Sequence, residues 1–152
     1  SALQTFATGA QSNVSTLQTN ATSERSNVAQ LRSNVILGGA ISDETSTLTT
    51  FNYTNIRSPV PFTINSTKVP LFWLNILSTS STVFDIQKNG VSIYTTKPAI
   101  ASGTTSNVSA NSTPGTLIGN TNSFALYDLI TIKVDTVGTG TPAGAKFAIY
   151  CT

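Results

Sequence analysis

Residues 12–39 read SNVSTLQ, TNATSER, SNVAQLR, SNVILGG: four sevens in which Asn returns at 13, 20, 27 and 34, each followed by an apolar residue. Placing Ala7, Val14, Ala21, Val28 and Val35 at heptad position a puts Leu3, Ala10, Leu17, Glu24 and Leu31 at d. Nine of these ten positions are apolar, which is the 3.5-residue period of a coiled-coil seam. A lone helix packed on its own domain would carry a wider apolar stripe, whereas the e and g positions here are mostly polar. Ser, Thr and Asn fill much of the rest, and ~20 such residues, each a few tenths of a kcal/mol poorer than Ala, accumulate to several kcal/mol. The segment is therefore expected to be helical only when partner chains bury its seam. Val at a with Leu at d leaves dimer and trimer both open. Glu24 at a d position is the flaw in the seam and calls for Arg25 or a neighbouring chain as partner. The Gly38-Gly39 pair is expected to end the helix, giving a coiled-coil stalk over 1–38 and a head over 39–152.

Beyond residue 40 the period changes from seven to two. Residues 83–88 alternate, Asn89-Gly90 follows, and residues 91–95 alternate again. Asn-Gly between alternating runs predicts a hairpin, because both residues tolerate positive φ. Leu129–Val137 predicts another strand, and 145–151 is expected to pair with it across a turn at Gly138–Gly144. The apolar run in Lys68–Leu77 suggests a strand buried on both faces. Shorter strands are expected near Leu48–Tyr53, Val60–Ile64, Thr104–Val108 and Phe124, with Pro59, Pro61 and Pro70 at strand starts or edges. The fold class is thus mostly β with an N-terminal α-helical coiled-coil stalk and an antiparallel, jelly-roll-like β-sandwich head. The loops of 97–123, rich in Ser, Thr, Asn and Gly, form its expected variable rim.

Composition excludes several functions. Ser, Thr and Asn account for 58 of 152 residues, and charged residues for only 9%. With no His there is no Ser-His-Asp or Cys-His catalysis and no His-ligated metal. A single Cys, Cys151, forms neither an internal disulfide nor a thiolate zinc cluster. The eight Lys and Arg residues are scattered, which argues against nucleic acid as partner. No apolar run reaches the ~20 residues of a membrane span. The start Ser1-Ala2-Leu3-Gln4 lacks a cationic region followed by an apolar stretch, so no signal peptide is expected there. A small first residue in a Met-free chain fits removal of an initiator Met from a whole short gene product, and equally fits a trimmed longer chain.

Candidate chemistry is sparse, and no cofactor is expected. Asp85, Asp128 and Asp135 lack the spacing of a calcium loop and read as strand charges that limit edge pairing. Asp43-Glu44, the adjacent acidic pair, does not offer the separated carboxylates of a glycosidase. Most aromatics sit at strand spacing and belong to the core. Tyr53, Tyr94 and Tyr127 are the ones expected to be exposed and to face a ligand such as a sugar. The Asn-x-Ser/Thr sequons at 13, 20, 52, 65, 107 and 111 are what such a composition produces by chance. Cys151 reads as a small strand residue.

The second half has a recognisable form. It contains VFDIQKNGVSIYTTKPAIASGTTS at 83–106 and FALYDLITIKVDTVGTGTPAGAKFAIY at 124–150. These resemble a β-sandwich module that forms the terminal knob of tailed-bacteriophage fibre and virion-surface proteins. The resemblance is carried by Asp85, Lys88, Asn89, Gly90, Ile93 and Pro98, and by Asp128, Ile130, Thr131 and Asp135 before a final Gly-rich hairpin. It covers about half the chain, and a heptad stalk before the knob strengthens it. It implies a non-enzymatic homotrimer on the virion exterior, made in the host cytoplasm, with other virion proteins (tail, baseplate or major capsid protein) as partners. Host-surface glycan is the expected ligand of a tail fibre or receptor-binding knob. A capsid cement or decoration protein is the alternative, and a secreted carbohydrate-binding module is the reading from another class.

Overall fold

The computed structural model describes residues 1–33, 35–119 and 122–152, with backbone alone for 29–33 and 35. In chain order the elements are α1 (Ala2–Ser33), β1 (Val35–Ala40), β2 (Tyr53–Arg57), β3 (Phe62–Thr63), β4 (Leu71–Trp73), β5 (Thr82–Lys88) and β6 (Val91–Ser92). They continue with β7 (Tyr94–Thr96), β8 (Ala99–Ile100), β9 (Thr116–Leu117), β10 (Ser123–Phe124), β11 (Leu129–Thr136) and β12 (Lys146–Cys151). The chain forms two compact units, 1–34 and 35–152.

The first unit is one helix. Its described side chains, residues 1–28, are all exposed in the single chain. Thr8, Thr16, Thr19 and Thr22 turn their hydroxyls inward and donate to the carbonyl four residues earlier at 2.9 or 3.0 Å, so these hydroxyls are satisfied within the helix. The expected stop at Gly38-Gly39 is corrected: both glycines lie inside β1, opposite Ala148 and Phe147 of β12. A Cβ on Gly38 would come within 3.3 Å of the Phe147 carbonyl oxygen, so these glycines serve close strand packing.

The second unit is antiparallel. One sheet runs β1-β12-β4 and a larger one β2-β11-β5-β6, with β8 also on β5. The pairs β3–β10 and β7–β9 are separate. Alternation decides which faces turn inward. On β11 these are Ile130, Ile132 and Val134; on β12, Phe147, Ile149 and Cys151; on β5, Phe84 and Ile86. The two larger sheets share one core, and Phe72 of β4 stacks on Phe84 of β5 with centroids 4.8 Å apart. Pro61 and Pro70 immediately precede β3 and β4, where the missing N–H costs little.

Four strand expectations are revised. The strand expected near Leu48–Tyr53 begins only at Tyr53 and runs on to Arg57 as β2. β12 does not pair with β11; it lies between β1 and β4, while β11 lies between β2 and β5. The Gly-rich segment between them therefore crosses from one sheet to the other. It is tied to the chain before β5, with Thr79 N–H on the Thr139 carbonyl and Ile76 exchanging two bonds with Ala143. The apolar run at 68–77 contributes only a three-residue strand with a single inward residue, Phe72. At 104–108 there is no strand, only a bridge from Ser106 to Trp73.

Candidate functional site

The motif residues assemble into two polar clamps. In the first, Asn89 (φ 50°) and Gly90 (φ 86°) form the turn between β5 and β6. The Asn89 amide donates to Asp128 Oδ1 at 2.7 Å, and its oxygen accepts from Leu129 N–H at 2.8 Å. Asp128 Oδ2 accepts from Ala125 N–H at 2.8 Å and pairs with Lys88 Nζ at 3.3 Å. Lys88 also donates to the Ser123 carbonyl and lies over the Phe124 ring. The amide of Asn89 is the largest influence holding the Asp128 carboxyl below its usual range; Ala125 N–H and Lys88 add to it, and slight desolvation opposes them.

The second clamp lies on the outward face of the larger sheet. Asp85 is fully buried, yet its oxygens are occupied: Oδ1 by Ser92 at 2.6 Å, Oδ2 by Gln87 at 3.1 Å and Lys97 at 3.2 Å. Lys97 reaches Asp135 as well, at 2.9 Å, and Lys133 joins Asp135 at 3.3 Å. A register shift between Val134 and Thr136 leaves Asp135 as the extra residue of a bulge, which aims its carboxylate toward Lys97. Desolvation opposes ionisation of Asp135, but Lys97 and Lys133 outweigh it and hold the pKa low. Desolvation likewise opposes the charge on Lys97, and Asp135 and Asp85 reverse that to raise it. Asp85 and Asp135 sit on interior strands, so the expectation of edge-limiting charges is replaced by that of an internal ionic network.

Neither clamp offers a free acid or base. Asp43 caps its own turn through Thr45 and Ser46 N–H, and Glu44 pairs with Lys146, so Asp43-Glu44 is not a joint carboxylate site. Among the described residues, no cluster of His, Cys, Asp and Glu has metal-binding geometry, and no helix is long and apolar enough to cross a membrane.

The seam residues Leu3, Ala7, Ala10, Val14, Leu17, Ala21, Glu24 and Val28 are all exposed on α1; the side chains of Leu31 and Val35 fall outside the described residues. Of the three tyrosines, Tyr53 and Tyr127 are exposed, at 56% and 68%. Tyr94 is a correction: it is only 5% exposed. Alternation put it opposite the inward Ile93, but that second face is covered by β9, where Tyr94 pairs with Leu117. Burial pushes its phenol far above the ordinary range, with the Asp85 charge adding to it, and its hydroxyl has no partner among the described residues. Tyr94 also lines a cleft of about 430 Å³ with Ser66, Val69, Thr116, Leu117 and Asn122, and among the described residues no charged side chain lines it. Phe51, grouped by spacing with the core, is exposed.

Tyr127 stands out for its backbone. Its φ is +68°, a conformation a bulky residue rarely takes. Its N–H donates to the Ser58 carbonyl at 2.8 Å, and its own carbonyl accepts from Arg57 at 3.2 Å. Those two bonds and the adjacent Asp128 clamp fix the turn that presents the ring. The sequence carried no signal for this strain. Asn107, the first residue of an Asn-x-Ser sequon, is fully buried, holding the Phe72 N–H and the Pro70 and Pro114 carbonyls. No family model matches this chain, and no curated protein matches it in sequence.

Proposed function

We propose that this protein is a non-enzymatic structural component of a tailed-phage virion surface, a homotrimer with a coiled-coil stalk and jelly-roll-like heads that bind host-surface glycans. The observation that carries the reading is the display of the seam. Leu3 is 84% exposed and Leu17 67%, on a helix whose Ser, Thr and Asn content gives it little stability of its own. Burying those side chains between copies, at roughly 25 cal/mol per Å² of apolar area, offsets the poor propensity. Tyr53 and the strained, fixed Tyr127 support the glycan assignment, since rigid exposed rings stack on sugar faces at low entropic cost. The engagement of Asp43, Asp85, Asp128 and Asp135 with internal partners supports a role without catalysis.

Light scattering on the full chain should return three times 15.9 kDa; a monomer at micromolar concentration would remove the reading. On a glycan array the trimer should select a small set of host-surface glycans, and Tyr127→Ala should lose them without changing the mass. If no glycan is bound and images of the particle place the protein between capsid subunits, it is a cement protein.

A further inference from the structure

β2 stands at one end of the strand order of the larger sheet, beside β11. Exposure alternates along it: Tyr53, Asn55 and Arg57 are exposed, while Thr54 and Ile56 are half-buried. Period two therefore puts the three exposed residues on one face of the sheet, and the register sets Lys133, Thr131 and Leu129 of β11 opposite them. From Tyr53 to Arg57 the row runs about 13 Å along the strand. Tyr127 stands at the Arg57 end. Arg57 Nη1 donates to the Tyr127 carbonyl at 3.2 Å, and Tyr127 N–H donates to the Ser58 carbonyl at 2.8 Å. Two exposed tyrosines far apart in sequence thus bracket one row, with an amide and a guanidinium between them.

The charge in that row is unusual for this molecule. Lys88, Lys97, Lys133 and Lys146 each pair with a carboxylate, and Lys68 lies over the Tyr150 ring. Arg57 has no carboxylate partner among the described residues. One of its N–H groups goes to the Tyr127 carbonyl, and the remaining donors of the planar fork are open. Asp128, next in sequence to Tyr127, is already held by Asn89, Ala125 N–H and Lys88. In the middle of the row Asn55 accepts from the Thr131 hydroxyl at 2.7 Å, while its amide N–H groups make no bond among the described residues.

We propose that this row is the glycan-binding surface of the β unit and that it takes an acidic oligosaccharide, whose carboxylate Arg57 holds. This rests on the glycan reading above and adds where the sugar chain lies and what charge it carries. A carboxylate matches the guanidinium plane through two parallel hydrogen bonds. Sugar faces stack on Tyr53 and Tyr127, and the Asn55 amide donates to a sugar oxygen between them. The bond to the Tyr127 carbonyl restricts Arg57 before any ligand arrives, which lowers the entropic cost of binding. A charge that merely guarded a sheet edge would need no such tether.

The test is an array of carboxylate-bearing, neutral, sulfated and phosphorylated glycans probed with the full chain. The glycans retained should carry carboxylates. Retention of the other classes alone overturns the proposal and leaves the glycan reading standing; retention of none overturns both. Methyl esterification of the tightest-bound acidic glycan removes its charge and keeps every ring. The ester should bind the parent chain about fivefold more weakly, and equal binding overturns the proposal without any variant having to fold. In Arg57→Ala the gap between acid and ester should close, with the ester bound as the parent chain binds it. If Arg57 only holds the Tyr127 turn, acid and ester weaken together and the proposal falls. Tyr53→Ala should weaken both forms alike; binding unchanged by it overturns the row.

Discussion

Asn107 holds three backbone groups that would otherwise go unpaired in the interior. Asn107→Ala should cost about 2–4 kcal/mol, since it strands the buried Phe72 N–H and two carbonyls; urea denaturation measures this. Lys97→Ala leaves the fully buried Asp85 without its counter-charge and should cost about 3 kcal/mol. The double change Lys97→Met/Asp85→Asn should recover much of that, because both charges are then gone. The pH response follows from Asp128 and Asp135. Their folded pKa values lie below the ordinary Asp value, so the stabilisation is complete above the unfolded value of about 3.9 and fades as pH falls through the lower folded ones. With no His to titrate, the urea midpoint should be flat from pH 5 to 8 and fall only below about pH 4.

At the scale of elements, the connection between β11 and β12 is closely packed at Gly138. A Cβ on Gly138 would sit 2.4 Å from the Ser80 carbonyl oxygen and 2.8 Å from the Ser78 and Thr82 side chains. Gly138→Ala should therefore cost about 1–3 kcal/mol, read as a lowered thermal midpoint. On α1, Leu17→Asp should abolish the proposed self-association and, with it, most of the helical circular dichroism. β5, β11, β12 and the Asn89-Gly90 turn were legible because period-two runs and a turn dipeptide are local signals. The partner of β12 was not, since alternation tells which face is buried and is silent on which strand lies alongside. Two-residue strands such as β8 and β9 are too short for any period. β9 is the element that buries Tyr94, so missing it misplaced that residue.

At the scale of the molecule, the division into a helical and a β unit was written in the change of period near residue 40, while its position was hidden because Gly38-Gly39 suits both a helix end and a strand. The motif residues could be picked out from the sequence, but their job could not: the Asp85–Lys97–Asp135 contacts join β5, the chain before β8 and β11, and only the folded chain reveals that those charges face one another. One pairing has a further consequence. β1 bonds along its whole length to β12, from Val35 opposite Cys151 to Ala40 opposite Lys146, so the strand that opens the β unit has its neighbour more than a hundred residues later. During synthesis β1 must wait, with β4, until β12 clears the ribosome. A message broken shortly before that point would yield chains with two bare strand edges, fit for proteolysis or aggregation.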